Sequence, residues 1–157
     1  MLHIKTTGIF LILLFFFNPD LYCQSLEVVQ SESLNFGEFT NIGSGNITLG
    51  YNDNISTSGN VILLGANYHS AALRLTITAQ RTVSIYFLPG QMLKRTGGTE
   101  TMAITIGPSD RRSSFIALPL PAENIVKVGG IINVGSPFST PPGAYTGQFE
   151  VEFTIEN

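Results

Sequence analysis

Histidine, cysteine and paired carboxylates are the side chains that most often carry catalysis or hold metals, and this chain of 157 residues is poor in them. It has two histidines and one cysteine. His3 and Cys23 fall in an N-terminal stretch read below as a leader, which leaves His69 alone in Asn67-Tyr68-His69-Ser70. A zinc site needs several Cys, His or carboxylate ligands together, and a catalytic imidazole needs a nucleophile and an orienting partner. His69 has neither in its sequence neighbourhood and is read as an ordinary surface loop residue.

Glu150 and Glu152 are the best candidates for paired acid chemistry. Two residues apart on a strand they stand about 7 Å from each other on one face, a spacing within the range of glycosidase carboxylates. Such an enzyme also needs a pocket that raises one of the two. On a strand whose opposite face is apolar, outward acids are ordinarily solvated and discourage edge-to-edge aggregation, and the pair is read that way. Asn52-Asp53-Asn54 offers oxygen ligands but one carboxylate, too few for calcium, and is read as a turn. Asn46-Ile47-Thr48 and Asn54-Ile55-Ser56 match the glycosylation acceptor pattern, which three-residue matching produces readily by chance. Gly97-Gly98 and Gly129-Gly130 precede no helix whose amides could cradle a phosphate and read as hairpin or bulge glycines. Tyr51, Tyr68 and Tyr86 are the aromatic residues available to stack on a sugar. No catalytic, cofactor-binding or metal-ligating residue is assigned.

The elements that would position any site begin after a leader. A basic start at Met1-Leu2-His3-Ile4-Lys5, an apolar run from Ile9 to Phe17 and the breakers Asn18-Pro19-Asp20 form a secretory signal. The run is too short for a bilayer, which needs about 20 apolar residues. Cleavage is expected after Cys23, so that residues 1–23 are the signal peptide and residues 24–157 one domain; the rival is lipidation of Cys23, to which the bulky Tyr22 is poorly suited. A mature chain without cysteine has no disulfide to stabilise it, and at this length the core buries roughly two-thirds of the unfolded surface. The formal net charge of −3 argues against a nucleic-acid partner, and the basic pairs Lys94-Arg95 and Arg111-Arg112 read as loop tips.

Many Ile, Val, Phe and Thr residues, with frequent Gly, Ser and Asn, describe strands and turns. Turn chemistry recurs at spacings near 8–12 residues, the rhythm of an all-β sandwich or barrel. The clearest strand runs to the C-terminus, with Tyr145, Phe149, Val151, Phe153 and Ile155 on one parity and Glu150, Glu152, Thr154 and Glu156 on the other. A second alternation places Leu73, Leu75, Ile77 and Ala79 inward and resumes at Val83, Ile85 and Phe87. These two runs form either a hairpin with a three-residue connection at Gln80-Arg81-Thr82 or a strand that bends from one sheet into the other, which the missing turn glycine favours. Further strands are expected at Ile47–Tyr51, Val61–Leu64, Met102–Ile106, Phe115–Leu118, and Ile125–Val128 continuing through Gly129-Gly130 to Val134. Asn52-Asp53-Asn54, Thr96-Gly97-Gly98, Gly107-Pro108-Ser109-Asp110 and Thr140-Pro141-Pro142-Gly143 are the expected reversals.

Leu34-Asn35-Phe36-Gly37, Val128-Gly129-Gly130 and Gly143-Ala144-Tyr145-Thr146-Gly147-Gln148-Phe149-Glu150-Val151 together resemble the bacterial family called domain of unknown function 4402. The closing strand of that family is similar to those of pilin-like and spore-coat-like secreted proteins. The resemblance implies an immunoglobulin-like antiparallel β-sandwich, export and surface assembly, and transfers no catalytic residue or cofactor. One departure is plain. A donated pilin strand needs alternating apolar anchors, and residues 24–33 offer Leu26 and Val28 before Val29 breaks phase.

The expected function is a secreted, periplasmic or cell-surface structural or assembly protein without enzymatic activity. Its expected partners are other copies or surface proteins met through strand edges, with no nucleic acid and no transmembrane helix in the mature chain. The alternative is an extracellular glycan-binding or other ligand-binding module. A hydrolase is the third reading, lacking a nucleophile, base and orienter that could be assembled.

Overall fold

The computed structural model describes residues 25–156, so the expected signal peptide, residues 1–23, and its Cys23 lie outside the described residues. Its strands are β1 (Leu26–Glu32), β2 (Phe39–Leu49), β3 (Ile55–Leu63), β4 (Ala71–Ile77), β5 (Arg81–Phe87), β6 (Gln91–Arg95), β7 (Thr101–Ser109), β8 (Ser114–Ala117), β9 (Asn124–Val134), β10 (Tyr145–Thr146) and β11 (Val151–Glu156). The fold is an all-β antiparallel sandwich. One sheet has eight strands, ordered β1-β4-β9-β7-β6-β10 with β2 and β3 branching from β9; the other has three, ordered β11-β5-β8.

Strand β9 organises the larger sheet because it changes partner along one edge. Asn124–Val128 pairs with β4 and Gly130–Val134 with β2, while the opposite edge pairs with β7. The change falls at Gly129-Gly130, where the turn after β2 presses onto β9. A Cβ on Gly129 would overlap the Leu49 carbonyl and stand 2.8 Å from the Gly50 carbonyl carbon. The expected strand through both glycines is therefore one strand, kept continuous by close backbone approach.

Period-two alternation supplies the core. Ile47, Ile132 and Ile104 lie side by side across β2, β9 and β7, each nearly or fully buried. Leu73, Leu75, Val126 and Val128 extend this floor, and Val83, Ile85 and Ala117 close over it from the smaller sheet. Asn124 is the buried amide that joins the layers. Its Oδ1 accepts from the Leu118 amide at 2.9 Å and its Nδ2 donates to the Leu118 carbonyl at 2.7 Å and the Leu75 carbonyl at 3.2 Å, so its desolvation is offset by hydrogen bonds.

Of the two arrangements open for the Leu73 and Val83 runs, the structure has the bend: β4 belongs to the larger sheet and β5 to the smaller, and they do not pair. Both apolar sets then face one interior without a tight turn. Two expectations are corrected. Gly107-Pro108-Ser109-Asp110 is not a simple reversal, because β7 continues to Ser109 through a bulge after Ile106, with Gly107 at φ 102° and Pro108 lacking a donor for the ladder. The single C-terminal strand is two, since Tyr145–Thr146 pairs with β6 in the larger sheet while Val151–Glu156 pairs with β5 in the smaller. A Cβ on Gly147 would lie 2.8 Å from the Met92 carbonyl oxygen, so glycine allows the crossing chain to run close to β6.

The turn after β2 adds a titrating contact. Asp53, at φ 62°, accepts the backbone amide of the buried Ser70 at 2.6 Å. That bond, helped by the Ser70 hydroxyl, Lys127 and His69 and opposed by burial, holds its carboxyl below the usual value.

Two measurements check this framework. Replacing Gly129 with Ala is expected to lower stability by about 1–3 kcal/mol or more in urea unfolding, because backbone must move to make room. Gly130→Ala, whose Cβ would stand 3.0 Å from the Thr105 carbonyl oxygen, should be milder. Asp53→Asn keeps an acceptor and tolerates the left-handed angle, and is expected to lose roughly 1 kcal/mol at pH 7, near the low end because the carboxylate is exposed. A depressed folded-state value stabilises above the unfolded carboxyl value and fades as pH falls through it. The gap between parent and variant should therefore close on acidification.

Candidate functional site

Three strands do not cover the apolar face that eight strands build. Where β5 and β8 end, cover comes from two irregular stretches, residues 33–38 near the N-terminus and residues 140–149 near the C-terminus. Leu34 and Phe36 fill the space over Gly130, and Tyr145 and Phe149 pack against the same core. Between the stretches lies a cavity of about 870 Å³, floored by Leu93, Met102, Ile104 and Ile132. A second, of about 470 Å³, lies between Leu26 and Val28 of β1 and Val151, Phe153 and Ile155 of β11. Both take one wall from residues 26–41 and the other from residues 140–155. Both therefore lie between the two terminal segments, and together they are called the trough below.

Each wall is tied from behind. Asn35 and His69 exchange backbone hydrogen bonds at 2.9 Å, and the Leu64 amide donates to the Glu38 carbonyl at 2.9 Å. On the other wall the Thr96 amide donates to the Ala144 carbonyl at 2.8 Å, and the Tyr145 hydroxyl donates to the Pro141 carbonyl at 2.9 Å. Gln91 stands in for a neighbouring strand at Glu150: its Oε1 accepts the Glu150 amide at 3.0 Å and its Nε2 donates to the Glu150 carbonyl at 3.0 Å.

The edges that face the trough have no such partners. Among the described residues β1 pairs only with β4, β10 only with β6 and β11 only with β5, while Phe39–Asn41 pairs only with β3. Gly147–Phe149 belongs to no ladder. Val28 points the way Leu26 does, opposite the buried Leu75 in the ladder, yet is 38 % exposed, with no described residue between it and β11. Glu38 and Tyr145 are the ionisable side chains lining either stretch. Burial raises the Tyr145 phenol above its usual value, with Arg95 acting the other way and Glu100 adding to the rise.

The residues singled out from sequence do not converge. His69 is half-buried rather than a surface residue, and its backbone pins the trough wall while its Nδ1 is buried without a hydrogen-bond partner. Glu150 and Glu152 are exposed, on the rim and the outer face of β11. Asn46 and Asn54 are exposed, Asn46 within β2 between β3 and β9. Tyr86 stands on the outer face of the smaller sheet, Tyr51 is in the turn after β2, and Tyr68 packs against the core. Lys94-Arg95 ends a strand, with Arg95 paired to Glu100 at 3.2 Å, and Arg111 lies 5.6 Å from the Phe115 ring centre. Among the described residues no cluster of three His, Cys, Asp or Glu could hold a metal. What the sequence reading missed is the trough itself and Gln91; the signal available was Gly147, which interrupts an otherwise regular alternation.

Residues 26–154 match the family model described as Domain of unknown function (DUF4402), a span that includes both trough walls almost entirely. The chain belongs to the DUF4402 family. No curated protein and no solved structure matches it. In this DUF4402 chain no described helix is long and apolar enough to cross a membrane.

The raised phenol of this DUF4402 protein is directly observable. Tyrosinate absorbance should show one late alkaline step that is missing in Tyr145→Phe. Because the fold favours the neutral phenol, stability should hold below about pH 10 and decline as pH rises through the folded-state value. A late step that persists in Tyr145→Phe would contradict the placement of this ring.

Proposed function

We propose that this chain is a non-enzymatic structural module of the extracytoplasmic space that enters a surface assembly by accepting a β-strand in the trough. One observation carries the reading: among the described residues β11 is paired on one side only, and its partly buried apolar row Val151, Phe153 and Ile155 lines a cavity shared with Leu26 and Val28 of β1. An unpaired edge presents amides and carbonyls ready to template another strand, and the apolar cavity beside it can take inward side chains of an added one. Covering the half-exposed apolar row adds stabilisation of about 25 cal/mol per Å² buried. The leader-like N-terminal sequence supports export. One carboxylate and one phenol in the trough do not make a nucleophile, base and orienter.

A second reading has its own observation. The 870 Å³ stretch has the volume of a small-ligand site, and Phe39, Tyr145 and Phe149, each partly buried, supply aromatic surface along its lining.

The assembly reading is tested by adding synthetic ten-residue peptides of alternating Val and polar residues to the purified protein. Hydrogen exchange at the Val151–Glu156 amides is expected to slow, and the melting temperature to rise with peptide concentration. Unchanged exchange and melting with every alternating peptide, in a protein that stays monomeric, would sink the proposal. A shift produced by glycans instead, and abolished in Tyr145→Ala, would move the conclusion to the second reading.

A further inference from the structure

We infer that the strand accepted by the trough comes from a different protein and alternates apolar residues with lysine or arginine. This rests on the strand-acceptor reading and adds the chemistry of the partner. The two walls and the end of β11, residues 26–41 and 140–156, contain Glu27, Glu32, Glu38, Glu150, Glu152 and Glu156 and no Lys, Arg or His. None of the six forms an ion pair among the described residues, whereas Arg74, Arg95 and Arg111 elsewhere are each met by an acid.

Strand parity turns this charge into a pattern. On β11 the apolar residues Val151, Phe153 and Ile155 face the trough, and Glu152 and Glu156 occupy the opposite parity. On β1, Leu26 and Val28 face the trough and Glu27 lies opposite. Glu156 is partly engaged, accepting from the Ser84 and Ser114 hydroxyls, which leaves Glu27 and Glu152 as the clearest charges on the outward parity of these edges. A strand laid along these edges turns every second side chain inward and brings the others beside the carboxylates. Opposite charges across a ladder stabilise and like charges destabilise. An inserted strand is therefore selected twice, by apolar residues on one parity and positive charge on the other.

The same charge disfavours a second copy pairing through these walls, since β11 against β11 or β1 against β11 brings carboxylates together. The segment through which a second copy would instead compete is the exposed row Ile116, Leu118 and Leu120, which follows Arg112 in alternation.

The experiment uses three fluorescent ten-residue peptides with the same Val positions and Lys, Ser or Glu between them, titrated into the purified protein at low and high salt. With two or three cross-strand pairs the Lys peptide is expected to bind roughly tenfold or more tighter than the Glu peptide. The gap should collapse near 1 M salt, where the screening length is about 3 Å, and in the exposed triple variant E27Q/E150Q/E152Q, while the Ser peptide binds that variant as it binds the parent. Equal affinity for all three peptides would overturn the inference and leave the strand-acceptor reading standing. Failure of all three to bind would overturn both. Concentration-dependent self-association that displaces the Lys peptide, and is lost in Ile116→Ser with Leu120→Ser, would also overturn the inference by making the occupant a second copy.

Discussion

The mismatch between an eight-stranded apolar face and a three-stranded cover is the constraint on which the rest of this structure depends. Apolar rows exposed on one sheet must meet another apolar layer, and here the smaller sheet meets them only in part. The remainder is met by side chains on largely irregular chain, with Leu34 and Phe36 over Gly130, and with Phe149 and Tyr145 of the two-residue β10 over the floor of Met102, Ile104 and Ile132. Irregular chain covers less evenly than a strand, because consecutive residues do not present one row to one face. The trough is the uncovered residue of that arrangement, so the fold and the candidate site have one cause.

A second consequence is that both terminal segments work in two layers. The C-terminal segment pairs with β6 of the larger sheet, crosses at Gly147–Glu150 and then pairs with β5 of the smaller. During the crossing its backbone leaves the ladders, and Gln91 supplies the amide and carbonyl partners of Glu150 that a neighbouring strand would otherwise supply. The N-terminal segment pairs with β4 as β1, then runs through the Asn35–His69 bridge before joining β2 against β3. Each wall is thus hydrogen-bonded from behind, and its inner edge is left unpaired among the described residues.

Charge then separates this surface from the rest of the molecule. Acids concentrated along the two walls discourage unwanted pairing of the exposed edges, a familiar use of charge on edge strands. In the proposal above the same acids set what a partner strand must carry. On the strand-acceptor proposal, protection against self-pairing and selection of a partner are two effects of one set of side chains.

Much of the fold was legible in the residues. Alternation at Leu73–Ile77, Val83–Phe87 and Val151–Ile155 identifies which parity is dry, because side chains on a strand point to opposite faces in turn, and turn chemistry at Asn52-Asp53-Asn54 and Thr96-Gly97-Gly98 marks where the chain reverses. That much is local physics, written residue by residue. Which edge meets which is not local: β9 changes partner at Gly129, β4 and β5 part into different layers, and the last alternating run divides at Gly147, all through contacts between segments far apart in the chain. Short strands such as β1 and β6 carry too few apolar residues to announce themselves, and the trough is a gap between distant segments that no single stretch of sequence encodes. Local chemistry determined the strands and their dry faces; tertiary packing alone decided which edges were left without neighbours, because a missing neighbour is a property of the whole arrangement.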